Sequence, residues 1–302
     1  RHQPQGGQVG RRSAFSLVEL LVVIASVVIV AAVLFPVFSR AKAQAHASVC
    51  LSNFKQVTMA TIIYTSDYDD RYALSRYTHR LDATSADDKT WVQLILPYGR
   101  EFRVYKCPSD YTLGIATQAI FDEDLVPGDT YSRYYRASKR TNVGYNYLYL
   151  SPLIQTEIFV SPLSRYQTEI NDQTRMLMFG DSVYRITPGG LPEGGGSYLI
   201  VPPCRYSNEG GPITDTFRLS DVPSSSFYVG DQGWQPIPDP GNNNQSRATG
   251  GLWPWHTEKL TAGFVDGHFK RISLRQASVG CDVRPAWAGY VYSRSEYLWD
   301  MD

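Results

Sequence analysis

The chain has 302 residues, with 29 Lys and Arg against 29 Asp and Glu, so its formal net charge is zero. A neutral chain lacks the basic field that binds nucleic acid or anionic lipid, and no nucleic-acid partner is expected. Hydrophobic residues make up 43% of the sequence and aromatic residues 13%, which is enough apolar surface for a substantial folded core.

The first long apolar run extends from Phe15 to Phe35, and its polar residues are Ser16, Glu19 and Ser26. At 1.5 Å per residue, about 20 residues of helix cross a hydrocarbon core of roughly 30 Å. The run therefore predicts a membrane-spanning helix. The segment before it contains Arg and no acidic residue, so the positive-inside rule keeps the N-terminus cytoplasmic and exports the rest of the chain.

Pro36 follows the apolar run and is expected to bend or loosen the helix, because proline lacks a backbone donor and clashes with the preceding turn. Beyond it, apolar residues recur close to the 3.6-residue helical period as far as Tyr68. We therefore predict one long helix, whose second half packs against a globular head. The periodic positions are Ala43, Ala47, Cys50, Leu51, Phe54, Val57, Ala60, Thr61 and Tyr64.

After residue 70 the pattern changes to short aromatic and β-branched stretches separated by Pro, Gly, Asn and Asp. This pattern is typical of an α+β head built on an antiparallel sheet. A short helix is expected from Trp91 to Tyr98, ended by Pro97, and surface loops are expected at 187–197 and 234–251. Strands are expected at 104–106, 145–150, 176–180, 197–201, 263–265 and 268–272.

Asp266 and Gly267 lie between two apolar runs and predict a two-residue hairpin turn, because Gly tolerates positive φ. In that interpretation His256 is a buried or capping histidine that hydrogen-bonds the turn. The alternative is a site for a divalent metal or for acid–base chemistry, built from His256, Asp266, His268 and Asp181. That alternative would make the chain a metal-dependent hydrolase. No nucleophile-elbow, phosphate-loop or dinucleotide motif is present, so we do not expect an enzyme.

Four cysteines are widely spaced, and no Cys-x-x-Cys pair indicates a zinc or thioredoxin-type site. They are Cys50, Cys107, Cys204 and Cys281. In an exported head an even number of cysteines favours disulfides, and four cysteines allow three pairings. We favour Cys50 with Cys107 and Cys204 with Cys281, because each bond would tie an otherwise mobile part to the head. The other pairings stay open.

The residues from Ala14 to Ile24, Ala-Phe-Ser-Leu-Val-Glu-Leu-Leu-Val-Val-Ile, resemble the prepilin signal of type IV pilins and type II secretion pseudopilins. The resemblance implies that a prepilin peptidase cuts between Ala14 and Phe15 and that the new N-terminus is methylated. Ala14 stands where the family more often has Gly. Glu19 and Pro36 match the family's conserved acid and its helix-kinking proline, and are therefore expected to serve assembly.

Glu19 also needs a partner on physical grounds, because a carboxylate inside an apolar helix costs several kcal/mol unless it is protonated or paired. In a filament the expected partner is the free amino group of a neighbouring subunit's Phe15. In the membrane-stored monomer the alternative is the phospholipid interface. A plain signal anchor with Glu19 near the headgroups is the simpler alternative.

The head is similar to a pilin-like subfamily that carries a C-terminal His-x9-Asp-Gly signature, here His256 followed by Asp266 and Gly267. Other matching segments are 50–56, 64–69, 106–110 and 144–147. Pseudopilin heads can bind calcium in acidic loops, so the resemblance also suggests a calcium site at Asp67, Asp69 and Asp70. A solvated helix C-terminus is the simpler alternative for these three residues.

The resemblance implies a domain order of leader peptide (1–14), transmembrane helix (15–38), amphipathic continuation (39–70) and exported pilin-like head (71–302), with the signature hairpin at 256–272. It implies a structural subunit of a type IV pilus or a type II secretion pseudopilus, held in the bacterial inner membrane by a single pass. After assembly the subunit would lie in a periplasmic or cell-surface filament.

The implied partners are prepilin peptidase, other pilin-like subunits and an inner-membrane assembly platform. The alternative is a membrane-tethered surface protein that does not polymerise and whose head binds polysaccharide or another envelope ligand. The many tyrosines, among them Tyr131, Tyr134, Tyr135, Tyr145, Tyr147 and Tyr149, offer an aromatic platform for such a ligand, although at this density most are expected in the core.

Overall fold

The structure is a computed structural model and divides into two compact units, Arg1–Gln44 and Ala45–Asp302. The expected leader and Phe15 lie outside the described residues, as does most of the predicted loop 234–251. The described residues are 16–77, 89–99, 101–114, 119–120, 131–155, 160–187, 189–202, 204–207, 250–284 and 287–299.

Helix α1 runs from Leu17 to Asp67, a length of 51 residues, and includes Pro36. The prediction of one long helix is confirmed, and helical backbone continues on both sides of the proline. From residue 16 to residue 45 every side chain is exposed. An 18-residue window of α1 has a mean hydropathy of 3.1 and contains no buried residue, so this helix is long and apolar enough to cross a membrane.

The part of α1 within the second unit, from Ala45 to Asp67, is amphipathic and buries one face. The predicted face is confirmed except at Ala43, which is exposed, and at Leu51, which is half-buried. Hydroxyl groups on this face bond back to the helix, as Thr61 Oγ1 does to the Val57 carbonyl at 2.9 Å. The buried residues are Ala47, Cys50, Phe54, Val57, Thr58, Ala60, Thr61, Tyr64 and Thr65.

The head consists of short strands and helices. In chain order the described strands are β1 (Arg76–Tyr77), β2 (Lys89–Thr90), β3 (Val143–Asn146), β4 (Leu153–Gln155), β5 (Val160–Pro162), β6 (Leu177–Asp181), β7 (Arg185–Ile186), β8 (Pro192–Glu193), β9 (Leu199–Ile200), β10 (Cys204–Ser207), β11 (Leu260–Phe264), β12 (Phe269–Ile272), β13 (Cys281–Arg284) and β14 (Trp287–Val291). The described helices after α1 are α2 (Trp91–Gly99), α3 (Tyr131–Ser138), α4 (Tyr147–Leu150) and α5 (Leu274–Ala277).

A five-stranded sheet with the order β12-β11-β6-β3-β9 forms the centre of the head. Its neighbours are antiparallel except for β3 and β9, which are parallel. Every residue of β3, β6 and β11 is buried, so both faces of these strands are covered. A three-stranded sheet with the order β10-β14-β13 and three two-stranded pairs complete the described strands. The predicted α+β layout with antiparallel strands is therefore present.

Helix α1 lies close to β11 in the second unit. A Cβ atom on Gly263 would come within 2.8 Å of Thr58 Oγ1, so a side chain here would force the Thr58 side chain to shift. On the same sheet, the buried ring of Trp91 lies 5.0 Å from Phe179 and 5.4 Å from Tyr145, measured between ring centroids. Its Nε1 donates to the Tyr198 carbonyl at 2.6 Å, so this large side chain is both packed and hydrogen-bonded.

Several predicted elements differ from the observed ones. The strand predicted at 104–106 is wrong, because Phe102–Tyr105 forms a 3-10 helix. The strand predicted over 145–150 is wrong in its second half, where α4 follows β3 directly. Helix α2 contains Pro97 instead of ending at it. Runs of about four residues are too short for their periodicity to separate strand from helix.

The predicted hairpin around Asp266 and Gly267 is present, but its connection is longer than two residues, because the first strand ends one residue earlier and the second begins one residue later than expected. β11 and β12 pair antiparallel, and Val265–His268 form the connection. Phe264 N donates to the His268 carbonyl at 2.8 Å, which closes the turn. Gly267 has a φ of +94°, a value that favours glycine. The predicted loop at 187–197 is also partly ordered, because β8 within it pairs with β7.

Candidate functional site

Four buried polar side chains from distant parts of the chain lie together in the head. Cys50 comes from α1, Cys107 follows the 3-10 helix, Asp181 ends β6, and His256 lies shortly before β11. Their exposed fractions are 1%, 1%, 0% and 3%. Water therefore does not satisfy their polar atoms, and each must find its partners inside the protein. We call these four residues the cysteine–histidine cluster.

The distances within the cluster are short. The two sulfurs, Cys50 Sγ and Cys107 Sγ, are 2.7 Å apart, and both residues are free cysteines. His256 Nε2 lies 3.4 Å from Cys107 Sγ and 3.8 Å from Asp181 Oδ2. One ligand atom from each of Cys50, Cys107 and His256 lies within 4.8 Å of the other two. The imidazole Nε2 therefore faces both a sulfur and a carboxylate.

The turn that carries Cys107 is fixed by its own hydrogen bonds. Asp110 N donates to the Cys107 carbonyl at 3.0 Å, and Cys107 N donates to Asn142 Oδ1 at 2.8 Å. Asn142 Nδ2 in turn donates to Asp110 Oδ2 at 2.8 Å. Ser109 N lies 3.4 Å from Cys107 Sγ and points a backbone donor at the sulfur. These hydrogen bonds fix the position of Cys107 and its sulfur in the Cys-Pro-Ser-Asp segment.

His256 is held from both sides. Its backbone exchanges two hydrogen bonds with Lys259, at 3.1 and 3.0 Å, across a tight turn whose Thr257 and Glu258 have positive φ. Its Nδ1 lies 3.4 Å from Ser109 Oγ, which leaves Nε2 facing the sulfurs. Arg271 Nη2 donates to the His256 carbonyl at 3.1 Å and brings a positive charge beside the cluster.

Burial determines the charge state of the cluster. It lowers the pKa of His256 from 6.5 to about 4, so the imidazole is neutral at pH 7. Burial also raises the pKa of Asp181 from 3.8 to about 7, and the Thr261 backbone N–H, 2.6 Å from Oδ2, opposes this rise. The hydrogen bond to Cys107, together with burial, raises the pKa of the Cys50 thiol. The approach of His256 to Asp181 is therefore not an ion pair at neutral pH.

One oxygen of the cluster has no hydrogen bond. Asp181 Oδ1 is fully buried and accepts no hydrogen bond of normal length in the part of the chain that the structure describes, although the Thr261 side chain, like its backbone N–H, lowers the Asp181 pKa. An unpaired buried carboxylate oxygen costs on the order of 1–3 kcal/mol or more, so such an atom calls for an explanation. A neutral imidazole, two thiols and a carboxylate together are a donor set suited to a thiophilic cation.

The structure divides the histidine and aspartate site considered from sequence into two pairs. Asp181 lies with His256 in the cluster, whereas Asp266 lies with His268 in the hairpin connection. Asp266 Oδ1 accepts from His268 N at 3.1 Å and lies 2.6 Å from His268 Nδ1. The His268 ring stacks on Phe264 at 4.1 Å between centroids. The hairpin pair stabilises its own turn and is partly exposed.

Sequence reasoning missed that Cys50 and Cys107 would be the neighbours of His256. From sequence, the four cysteines were expected to form disulfides. The structure holds Cys50 and Cys107 as two free thiols, and a bond between them stays a prediction. Cys281 is disulfide-bonded. Cys204, its expected partner, lies on β10 of the same three-stranded sheet. The segments 50–56 and 106–110, which match the pilin-like subfamily, contain the two cysteines, but the resemblance did not connect them with His256.

No protein-family model, curated protein or solved structure matches this chain. The structure itself must therefore support any functional proposal.

The acidic and aromatic candidates are not part of the cluster. In the described residues, the ligand-atom group of three or more His, Cys, Asp or Glu is Cys50, Cys107 and His256, and it includes none of Asp67, Asp69 and Asp70. Asp67 Oδ2 instead accepts from Tyr98 OH at 2.9 Å. The calcium site stays a prediction. The tyrosines proposed as a platform are buried where their side chains are described, at Tyr134, Tyr135, Tyr145, Tyr147 and Tyr149.

At the start of α1, Glu19 bonds within its own chain. Ser16 N donates to Glu19 Oε2 at 2.9 Å, and Val18 N donates to Ser16 Oγ at 3.3 Å. Ser-x-x-Glu at a helix start is the capping-box pattern, which satisfies backbone N–H groups that have no partner inside the helix. Glu19 is thus a helix cap in the single chain. The expected processing residues, Ala14 and Phe15, lie outside the described part of the chain.

Proposed function

We propose that the chain is a pilin-like structural subunit, held in the membrane by the first half of α1 and assembled into a type IV pilus or a type II secretion pseudopilus. The observation that carries the proposal is the two-part character of α1. Between Leu17 and Phe38 the helix exposes sixteen large apolar side chains, with a single carboxylate in its first turn. After Ala45 the same helix buries one face in the head.

The exposed apolar segment requires an apolar environment. On the membrane-insertion scale each Leu, Ile, Val or Phe contributes about −0.3 to −0.6 kcal/mol at a helix centre, so sixteen contribute roughly −5 to −10 kcal/mol. An acid at the centre costs about 3 kcal/mol on the same scale, and Glu19 lies at the edge of the segment. Lipid or a bundle of such helices therefore holds this segment. The small residues Ala25, Ser26, Ala31 and Ala32 permit close helix approach.

The proposal includes processing by prepilin peptidase and export of the head through the inner membrane. Glu19 then has two roles, as a helix cap and as a charge partner, and the variants Glu19→Gln and Glu19→Ala distinguish them. As a cap it needs only an acceptor oxygen for Ser16 N, and glutamine supplies one. As the partner of a neighbouring subunit's N-terminal amine it needs a negative charge, which glutamine lacks.

The test combines N-terminal sequencing and intact mass with a shearing assay, in a host that has a prepilin peptidase and an assembly system. We expect the wild type to begin at methylated Phe15 and to appear in sheared filaments. Glu19→Gln should be processed and folded but depleted from filaments, as should Glu19→Ala, which also loses the cap. Ser26→Ala is the matched control within the same segment and should assemble.

An uncleaved wild-type chain would refute the processing step and favour the membrane-tethered surface protein. If Glu19→Gln assembled as well as the wild type while Glu19→Ala did not, the residue would be a helix cap and the charge-pairing role would be wrong.

A further inference from the structure

We propose that Cys50, Cys107, His256 and Asp181 form a binding site for one zinc ion, which joins α1 to the central sheet of the head. This inference goes beyond the proposed function and does not depend on it, because all four residues lie in the second unit. No helical or Cys-x-x-Cys spacing indicated the site in the sequence. It arises from the folding of four distant segments onto one another.

The chemistry of the four groups fits zinc. Two thiols, one imidazole and one carboxylate are ligand types that Zn²⁺ binds in tetrahedral sites. All four side chains are buried, as in structural zinc sites, which are closed to solvent. With both thiols deprotonated, the ion and its ligands carry a net charge of about −1, and the nearby Arg271 guanidinium compensates it.

Cys50, Cys107 and His256 place their ligand atoms within 4.8 Å of one another, and Asp181, which lies outside that group, must move towards the ion together with a separation of the two sulfurs. Around a tetrahedral zinc with bonds of about 2.3 Å to sulfur and about 2.0–2.2 Å to nitrogen and oxygen, neighbouring ligands lie about 3.6 Å (N to S), about 3.4 Å (N to O) and about 3.8 Å (S to S) apart. The observed values for His256 are 3.4 Å to Cys107 Sγ and 3.8 Å to Asp181 Oδ2. The two sulfurs are 2.7 Å apart and must separate by about 1 Å.

The supporting contacts resemble those around a bound ion. Metal-binding histidines usually hydrogen-bond through the ring nitrogen that does not bind the metal, and here Nδ1 faces Ser109 Oγ at 3.4 Å. The Ser109 N–H beside Cys107 Sγ would stabilise a thiolate. The Asp181 carboxylate, whose Oδ2 lies 3.8 Å from His256 Nε2, would supply a negatively charged oxygen ligand.

The competing arrangement is a disulfide between Cys50 and Cys107. It would account for the two sulfurs alone. It would leave His256 Nε2 facing an uncharged sulfur, whereas zinc would bind both sulfurs and the imidazole at once. The two arrangements exclude each other, because a disulfide sulfur is a poor metal ligand compared with a thiolate.

The test uses the full chain, solubilised in detergent, reduced and then dialysed against Zn²⁺ and again against zinc-free buffer. We expect one zinc per chain by elemental analysis, and none in Cys50→Ser, Cys107→Ser or His256→Gln. His256→Cys keeps a ligand at the position and should retain the ion, and Asp181→Asn should weaken zinc binding because it removes the charged oxygen ligand. The matched control is His268→Gln, which removes a histidine outside the cluster and should retain one zinc.

Replacement of zinc by Co²⁺ gives a second readout that does not depend on protein yield. Thiolate-to-cobalt charge-transfer absorption should appear in the wild type and in His268→Gln and disappear in both cysteine variants. A misfolded variant is identified by loss of the wild-type near-ultraviolet circular dichroism in the presence of chelator. Absence of zinc and cobalt from the reduced, folded wild type, or full retention by folded His256→Gln, would overturn the proposal.

Discussion

The close approach of α1 to β11 predicts a specific pairwise coupling between Gly263 and Thr58. Gly263→Ala places a methyl group 2.8 Å from Thr58 Oγ1 and 3.7 Å from Phe179 Cβ. Overpacking of a core by one methyl group costs about 1–3 kcal/mol, and the lower unfolded-state entropy of alanine returns about 0.4–1 kcal/mol. We expect a net loss of about 1–2 kcal/mol in the free energy of unfolding.

The partner variant should remove most of that loss. Thr58 Oγ1 is buried and has no hydrogen-bond partner among the described residues, so Thr58→Ala gives up packing but no hydrogen bond. In the double variant Gly263→Ala with Thr58→Ala, the new methyl group occupies the space that the hydroxyl left. We expect a favourable coupling of about 1–2 kcal/mol, within the range that contacting residues show in double-mutant cycles.

The assay is thermal and urea unfolding of the detergent-solubilised chain, followed by tryptophan fluorescence. For a head of this size about 1 kcal/mol moves the melting temperature by about 2–4 °C, so Gly263→Ala should melt lower by roughly 2–8 °C. Thr58→Val is the matched control, since it removes the hydroxyl but keeps the branch, and should not rescue Gly263→Ala. Additive single effects, with no rescue by Thr58→Ala, would refute the helix–strand packing described here.

Two further predictions concern buried groups of the head. In zinc-free protein, the Asp181→Asn variant keeps His256 as the titrating group of the pair. Because the pKa of His256 is lowered from 6.5 to about 4 in the folded state, its contribution to the free energy of unfolding is complete above pH 6.5 and is lost as the pH falls towards 4. The His256→Gln variant keeps Asp181 as the titrating group. Because the pKa of Asp181 is raised from 3.8 to about 7 in the folded state, its contribution to the free energy of unfolding is complete below pH 3.8 and is lost as the pH rises through 7. The urea midpoints of the two variants should therefore change with pH in opposite directions. Identical pH profiles would contradict the pKa assignments. Separately, Cys281→Ser should remove the disulfide and cost about 2–5 kcal/mol, and reductant should lower the wild-type melting temperature to the variant's value. A wild type insensitive to reductant would refute this prediction.

The parts of the fold that the sequence predicted are those with a strong local signal. The long apolar run and the 3.6-residue period identified α1 and its buried face, because each helical residue reports on its neighbours three and four positions away. Asp266 and Gly267 identified the hairpin, because the turn requires positive φ at Gly267. The strand predictions around 102–105 and 147–150 were wrong, because tertiary packing and not sequence periodicity determines the conformation of such short segments.

The cluster could not be predicted for a related reason. Cys107 is separated along the chain by 57 residues from Cys50 and by 149 residues from His256, so no local spacing connects the three. The register of the central sheet and the packing of α1 against the head bring these three residues together. The helix cap at Ser16 and Glu19 was different, because the Ser-x-x-Glu pattern is readable from sequence.

The role of Glu19 in filament assembly and the zinc site can be tested independently, by measuring both properties in a variant of each. The apolar segment that carries Glu19 belongs to the first unit, whereas the zinc ligands belong to the second. Glu19→Gln should therefore lose filaments and keep one zinc per chain. Cys50→Ser should lose zinc and still be processed at Phe15, because the peptidase acts on the N-terminal segment. If Cys50→Ser also stopped processing without unfolding the head, the two units would be coupled, and the assignment of separate roles to the two parts of α1 would be wrong.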